Sequence, residues 1–230
     1  MTFLKGHWQL LALTAVIAAL WQTPVVAPLK ILIVFLHELG HVIATVLTGG
    51  EVLSLTIDPY QGGRVTSRGG SRFIALSAGY LGSLLIGLAL FVFAIRTKAD
   101  KTIVVLLGLI LLWATAAYIR DWFALGFGLA STGFLLASAW FLRREINDLI
   151  LRVIGLASMI YVPLDIFSDT IARSHLRSDA RMLADEFAGP TLFWGGLWLI
   201  ISVVVIAFSL RHILGAESNI TLRPPDRYST

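Results

Sequence analysis

Cysteine is absent from the 230-residue chain, which excludes a disulfide framework and any thiolate-ligated metal site. Charge is scarce as well: Asp, Glu, Lys and Arg make up 14% of the residues against 57% hydrophobic ones, and the mean hydropathy is +0.82. A soluble domain carries about a quarter charged residues, so this composition excludes one. No polar stretch is long enough to form an extramembrane domain such as a PDZ-like insert. No convincing small-residue cleavage site precedes Pro28, so the first apolar run reads as an anchor rather than a removed leader. The net charge of +4 comes from Lys and Arg in short loops, as membrane topology requires, and gives no ground for a nucleic-acid partner. What remains is a multi-pass membrane protein in which any metal must be held by His, Asp or Glu.

Seven apolar segments are present, at residues 8–26, 28–49, 73–95, 102–118, 122–142, 149–172 and 191–213. Each is close to the roughly 17 to 25 residues that a bilayer-spanning helix needs. The fold expected is an all-α polytopic membrane protein with about seven transmembrane helices. The distribution of Lys and Arg between the two sides does not set an orientation. Residues 51–71 break the pattern: Val52-Leu53-Ser54-Leu55-Thr56-Ile57 alternates with a period of two, residues 58–63 read as a turn, and Arg64-Val65-Thr66-Ser67 can return as a second strand. A short β-hairpin is expected after the second helix. It is either a plain connector or an edge strand able to hold an extended peptide.

The second segment contains His37-Glu38-Leu39-Gly40-His41. On a helix, His37 and His41 lie about 40° apart on one face, the geometry of a paired metal ligand, and Glu38 beside them can serve water as a general base. A carboxylate at bilayer depth costs about 2.5 kcal/mol or more unless it is paired, coordinated or wet, which favours a functional site over a solvated helix face. The sixth segment holds a second polar group, with Asp165 and Asp169 four residues apart and Pro163 loosening the helix just before them. The second and sixth helices run in the same direction, so the two clusters arrive at similar depth, and either acid can complete a two-histidine, one-carboxylate zinc site with a position left for water. The plainer alternative is a helix end whose acids face water, with Arg173 and Arg177 as partners. Gly79, Gly82 and Ser83 read as a packing surface, Arg120-Asp121 as a neutralised hairpin tip, and residues 173–190 as a loop with at most one amphipathic turn. Residues 1–214 form one membrane-embedded domain in this reading, and residues 215–230, with Pro224-Pro225, are expected to be a flexible tail.

His37-Glu38-Leu39-Gly40-His41, Thr48-Gly49-Gly50, Arg68-Gly69-Gly70, Ala78-Gly79-Tyr80-Leu81-Gly82, Asp165-Ile166-Phe167-Ser168-Asp169 and Ser178-Asp179-Ala180 together resemble the site-2-protease-type zinc metallopeptidases, specifically the M50B-like branch. The likeness covers residues 28–200. It implies a metalloendopeptidase that cleaves a transmembrane protein substrate within the bilayer, with His37, His41 and a distal Asp as Zn²⁺ ligands and Glu38 as general base. It also implies an active site nearer the cytoplasmic face of the cell (inner) membrane, with the amino terminus and the hairpin on that side. The sequence departs from the better-known members at the distal motif: Pro163-Leu164-Asp165 is kept, but Ile166 stands where they have glycine, and no upstream Asn offers a transition-state donor. The third ligand is therefore Asp165 or Asp169, with Asp165 preferred. The alternatives are a non-proteolytic zinc-binding transporter or scaffold and a hydrolase of a lipid-linked substrate. A transporter would spread ionisable residues along a path across the bilayer, whereas here they gather at one depth.

Overall fold

The computed structural model describes residues 2–213, 215 and 217–220. The chain runs α1 (Thr2–Leu20), α2 (Ala27–Leu47), β1 (Glu51–Ile57), β2 (Gly63–Arg68), α3 (Arg72–Arg96), α4 (Asp100–Tyr118), α5 (Trp122–Phe141), α6 (Arg144–Phe167), α7 (Asp179–Phe187) and α8 (Thr191–Ile213). Among the described residues, six helices are long and apolar enough to cross a bilayer: Pro24–Leu47, α3, α4, α5, Arg144–Ala172 and α8. α1 adds a seventh apolar helix with a shorter apolar stretch, Leu4–Leu20. This is an integral multi-pass membrane protein with the two-stranded sheet that the alternation at 52–67 predicts.

Local chemistry sets the boundaries. Pro28 opens α2, where a missing backbone N–H costs nothing, and Gly49, at φ +80°, follows its end. Asp58 accepts the backbone N–H groups of Tyr60 at 2.7 Å and Gly62 at 3.0 Å, closing the hairpin turn. Asp121 caps α5 by accepting the N–H of Ala124 at 2.9 Å and also accepts the Thr56 hydroxyl at 2.5 Å. Arg120 donates to the last carbonyls of α4. The pair is thus a double helix cap that anchors the hairpin, not a self-neutralising tip. At the centre, α3 packs between α2 and α6. The Ser158 hydroxyl of α6 donates to the Ser83 carbonyl of α3 at 2.8 Å, and Gly87 and Gly155 let these two backbones approach closely.

The helix ends sort onto two faces. The hairpin, the α4–α5 turn and the starts of α3 and α8 share one face, with the Phe73 and Trp194 rings 5.8 Å apart. On the other face, Arg96 donates to the His212 carbonyl at 2.9 Å and Arg144 to Asp100 at 2.6 Å. The amino-terminal end belongs to the second face, which corrects the expectation that it lies with the hairpin. Ser218 N–H donates to the Gly6 carbonyl at 3.1 Å and the Asn219 amide to the Lys5 carbonyl at 2.7 Å. The side chain of Gln9 pairs with both backbone groups of Ile220, and buried Arg152, held by Asp148 at 3.0 Å, donates to the Ser218 carbonyl. Through these bonds the polar groups of residues 218–220, within the segment expected to be a tail, meet α1 and α6. Residues 221–230 of the expected tail lie outside the described residues. α1 starts beside Arg152 and ends with Trp21 against Tyr161 of the same helix, ring centroids 6.0 Å apart, so it advances toward the hairpin face alongside α6.

Because the chain has no cysteine, single-cysteine reporters are unambiguous. Lys5→Cys and Tyr60→Cys, both at exposed positions, are expected to react with a membrane-impermeant maleimide from opposite sides of a sealed vesicle. Labelling of both from the same side would contradict this arrangement.

Candidate active site

The imidazoles of His37 and His41 point from α2 toward α3 and α7. His41 donates its Nδ1–H to the Ala75 carbonyl of α3 at 2.7 Å, which fixes the tautomer and leaves Nε2 with its lone pair, as a metal ligand requires. The third group of the cluster is Asp179, at the first position of α7. Its Oδ2 lies 3.0 Å from His37 Nε2 and 3.1 Å from His41 Nε2, and all three donor atoms fall within 4.8 Å of one another. With bonds of about 2.0 to 2.2 Å, ligands of a tetrahedral zinc stand roughly 3.3 to 3.5 Å apart, so small side-chain shifts suffice to fit the ion.

Asp179 sits where a carboxylate is favoured. Ser178 caps α7 by accepting the Arg181 N–H at 3.3 Å, and Asp179 then occupies the positive end of the helix. Burial works against its ionisation, but the two imidazoles, His41 foremost, outweigh that and hold its carboxyl well below the usual carboxylate range. α7 is fastened by buried Ala180 and Leu183, by the Phe73–Phe187 ring contact at 5.5 Å, and by Arg72 Nε, which meets Glu186 at 3.0 Å.

The two acids expected as third member stand elsewhere. Asp169 accepts the Tyr80 hydroxyl at 2.6 Å and Arg173 Nη2 at 2.8 Å, and Asp165 stands 3.7 Å from the same guanidinium. Neither joins the imidazole pair. The cause is backbone geometry: beyond Pro163, α6 widens into a π-turn, Ser168–Ala172, and the chain then folds back so that the start of α7 reaches the histidines. The sequence carries a signal for it in Ser178-Asp179-Ala180, a helix cap followed by an acid and an apolar residue, within a stretch whose polar composition suggests a loop with at most one amphipathic turn.

Glu38 is 4% exposed, and its Oε2 has no hydrogen-bond partner among the described residues. A buried, unpartnered carboxylate oxygen beside the cluster is a place for water. Two glycines shape the space. A Cβ at Gly63 of β2 would collide with Glu38 Oε1 and come within 2.8 Å of its Cδ, so the hairpin lies directly on this carboxylate. A Cβ at Gly79 would collide with His37 Nε2 and stand 2.6 Å from His41 Nε2 and 2.7 Å from Asp179 Oδ2. Gly79 is thus the open floor of the site as well as a packing residue. Gly79→Ala is expected to lower metal affinity by about 10- to 100-fold, comparable to loss of an outer-shell partner, while helix content by circular dichroism is kept, because Ala is the better helix former.

Fold and site together define a multi-pass membrane protein with a largely buried two-histidine, one-carboxylate cluster and an adjacent glutamate. The chain belongs to the Peptidase M50B-like family, whose model matches residues 10–209. That range takes in the cluster, the hairpin and α6 to α8, and it makes the protein a peptidase. No curated protein and no solved structure matches the chain.

Proposed function

We propose that the protein is a zinc-dependent intramembrane endopeptidase acting on transmembrane protein substrates, with His37, His41 and Asp179 holding the metal and Glu38 as general base. The observation that carries this reading is the meeting of Asp179 Oδ2 with both Nε2 atoms beside a buried glutamate with an unpartnered oxygen. Two imidazoles, one carboxylate and no thiolate suit zinc in a hydrolytic site with a fourth position for water. Zinc bound there supplies Lewis acidity that makes a water acidic near neutral pH and polarises the scissile carbonyl. Glu38 accepts the proton of the attacking water and returns it to the leaving amine, positioned for both by the hairpin that presses on it. The Ala75 carbonyl and the α7 cap hold His41 and Asp179 in place, so little reorganisation accompanies the reaction. A substrate helix must open locally before its amide can reach this centre. Among the described residues each strand of the two-stranded sheet is paired along one edge, and a second edge offers the opened segment backbone hydrogen bonds. The hairpin face is proposed to be cytoplasmic, in the cell membrane.

The test is the full-length protein in liposomes with a tagged single-span peptide. Cleavage that stops on chelation and returns with zinc is expected. Metal-dependent hydrolysis of a lipid-linked ester with no peptide cleavage would replace this reading with the lipid hydrolase.

A further inference from the structure

Asp165 of α6 and Asp169 of the π-turn that follows it are left unused by the proposed chemistry, yet Asp169 is tied to the site through a buried phenol. Tyr80 follows Gly79 on α3, is 1% exposed, and sets its ring edge-on to that of His37, centroids 4.8 Å apart at 85°. Its hydroxyl donates to Asp169 Oδ2 at 2.6 Å, the short length of a bond to a charged acceptor. Asp169 is clamped in turn by Arg173 at 2.8 Å, which also donates to the Ser168 hydroxyl at 2.9 Å. Trp198 of α8 backs the phenol at 5.2 Å. The π-turn that presents Asp169 is a feature that recurs at functional sites.

The two histidines are held in different ways. His41 has the Ala75 carbonyl at Nδ1 to orient its ring, whereas His37 meets Asp179 through Nε2 and sets its ring against that of Tyr80. Its ring plane is set by packing, and the tethered Tyr80 is the wall it packs against. A metal-binding imidazole needs its plane fixed, a task more often met by a hydrogen bond to the distal nitrogen. We propose that Tyr80 and Asp169 act as one positioning unit for His37: Asp169 anchors the phenol, and the phenol orients the imidazole toward the metal. Asp165 is not part of this tie.

This rests on the zinc reading, and the test separates the two. Full-length protein loaded with Co²⁺ in place of zinc gives an absorption spectrum that reports ligand geometry without turnover. Tyr80→Phe keeps the ring and drops the hydroxyl, and Asp169→Asn keeps the shape and drops the charge, so neither change empties space in the core. Each is expected to weaken Co²⁺ binding by about tenfold and to alter the visible band. The double variant is expected to lose no more than either single one, since both break the same tie. Asp165→Asn should bind and absorb like the wild type. Unchanged affinity and spectrum in both single variants, or losses that simply add, would overturn the positioning unit while leaving the zinc reading intact. A wild-type protein that takes up no Co²⁺ or zinc would overturn both.

Discussion

Glu38→Gln is expected to leave the protein folded and metal-loaded while lowering peptide hydrolysis by about 10²- to 10⁴-fold, the contribution of a positioned general base. The substitution keeps the shape that the hairpin covers at Gly63 and removes only the capacity to take a proton. It also removes a buried charge of which one oxygen has no partner, so stability should not fall. Zinc content and the cleavage rate of a tagged single-span peptide, measured on the same preparation, decide the matter. Cleavage by the Glu38→Gln variant at the wild-type rate would remove Glu38 from the chemistry.

Asp179→Ala is expected to have the other large effect, on the metal itself. The site would fall from three protein ligands to two, and His37 and His41 would lose the carboxylate they share at 3.0 and 3.1 Å. Affinity should drop by more than the roughly 10- to 100-fold that loss of an outer-shell partner costs, with activity following it. Ser178→Ala, which removes only the α7 cap, should cost about 1 kcal/mol of helix stability and weaken the metal site far less. Titration of the stripped protein with zinc checks both.

Much of this architecture is legible in the sequence because a bilayer leaves few choices. Residues at depth must be apolar and helical unless something requires otherwise, so His37, Glu38 and His41 stand out, and the alternation at 52–57 marks the hairpin. What a residue pattern does not carry is how the chain folds back on itself. The cost of burying charge in a spanning helix singles out Asp165 and Asp169, whereas the carboxylate at the cluster comes from a nine-residue helix outside the spans. Its approach depends on the π-turn after Pro163, a backbone event that no residue pattern announces. Gly79 was legible as a small residue, but whether a missing side chain serves packing or makes room for a ligand depends on what lies opposite. The placement of the amino-terminal end depends on hydrogen bonds between residues more than 200 positions apart, which local pattern cannot convey.

The proposed chemistry requires a single divalent ion held by two imidazoles of α2 and the first carboxylate of α7. Metal stoichiometry of the purified full-length protein, measured by mass spectrometry after dialysis for the wild type, Asp179→Ala and Asp165→Ala, addresses it most directly. About one zinc per chain is expected in the wild type and in Asp165→Ala, as for a catalytic site with three protein ligands, and close to none in Asp179→Ala. A full complement of zinc in Asp179→Ala together with an empty Asp165→Ala would contradict it.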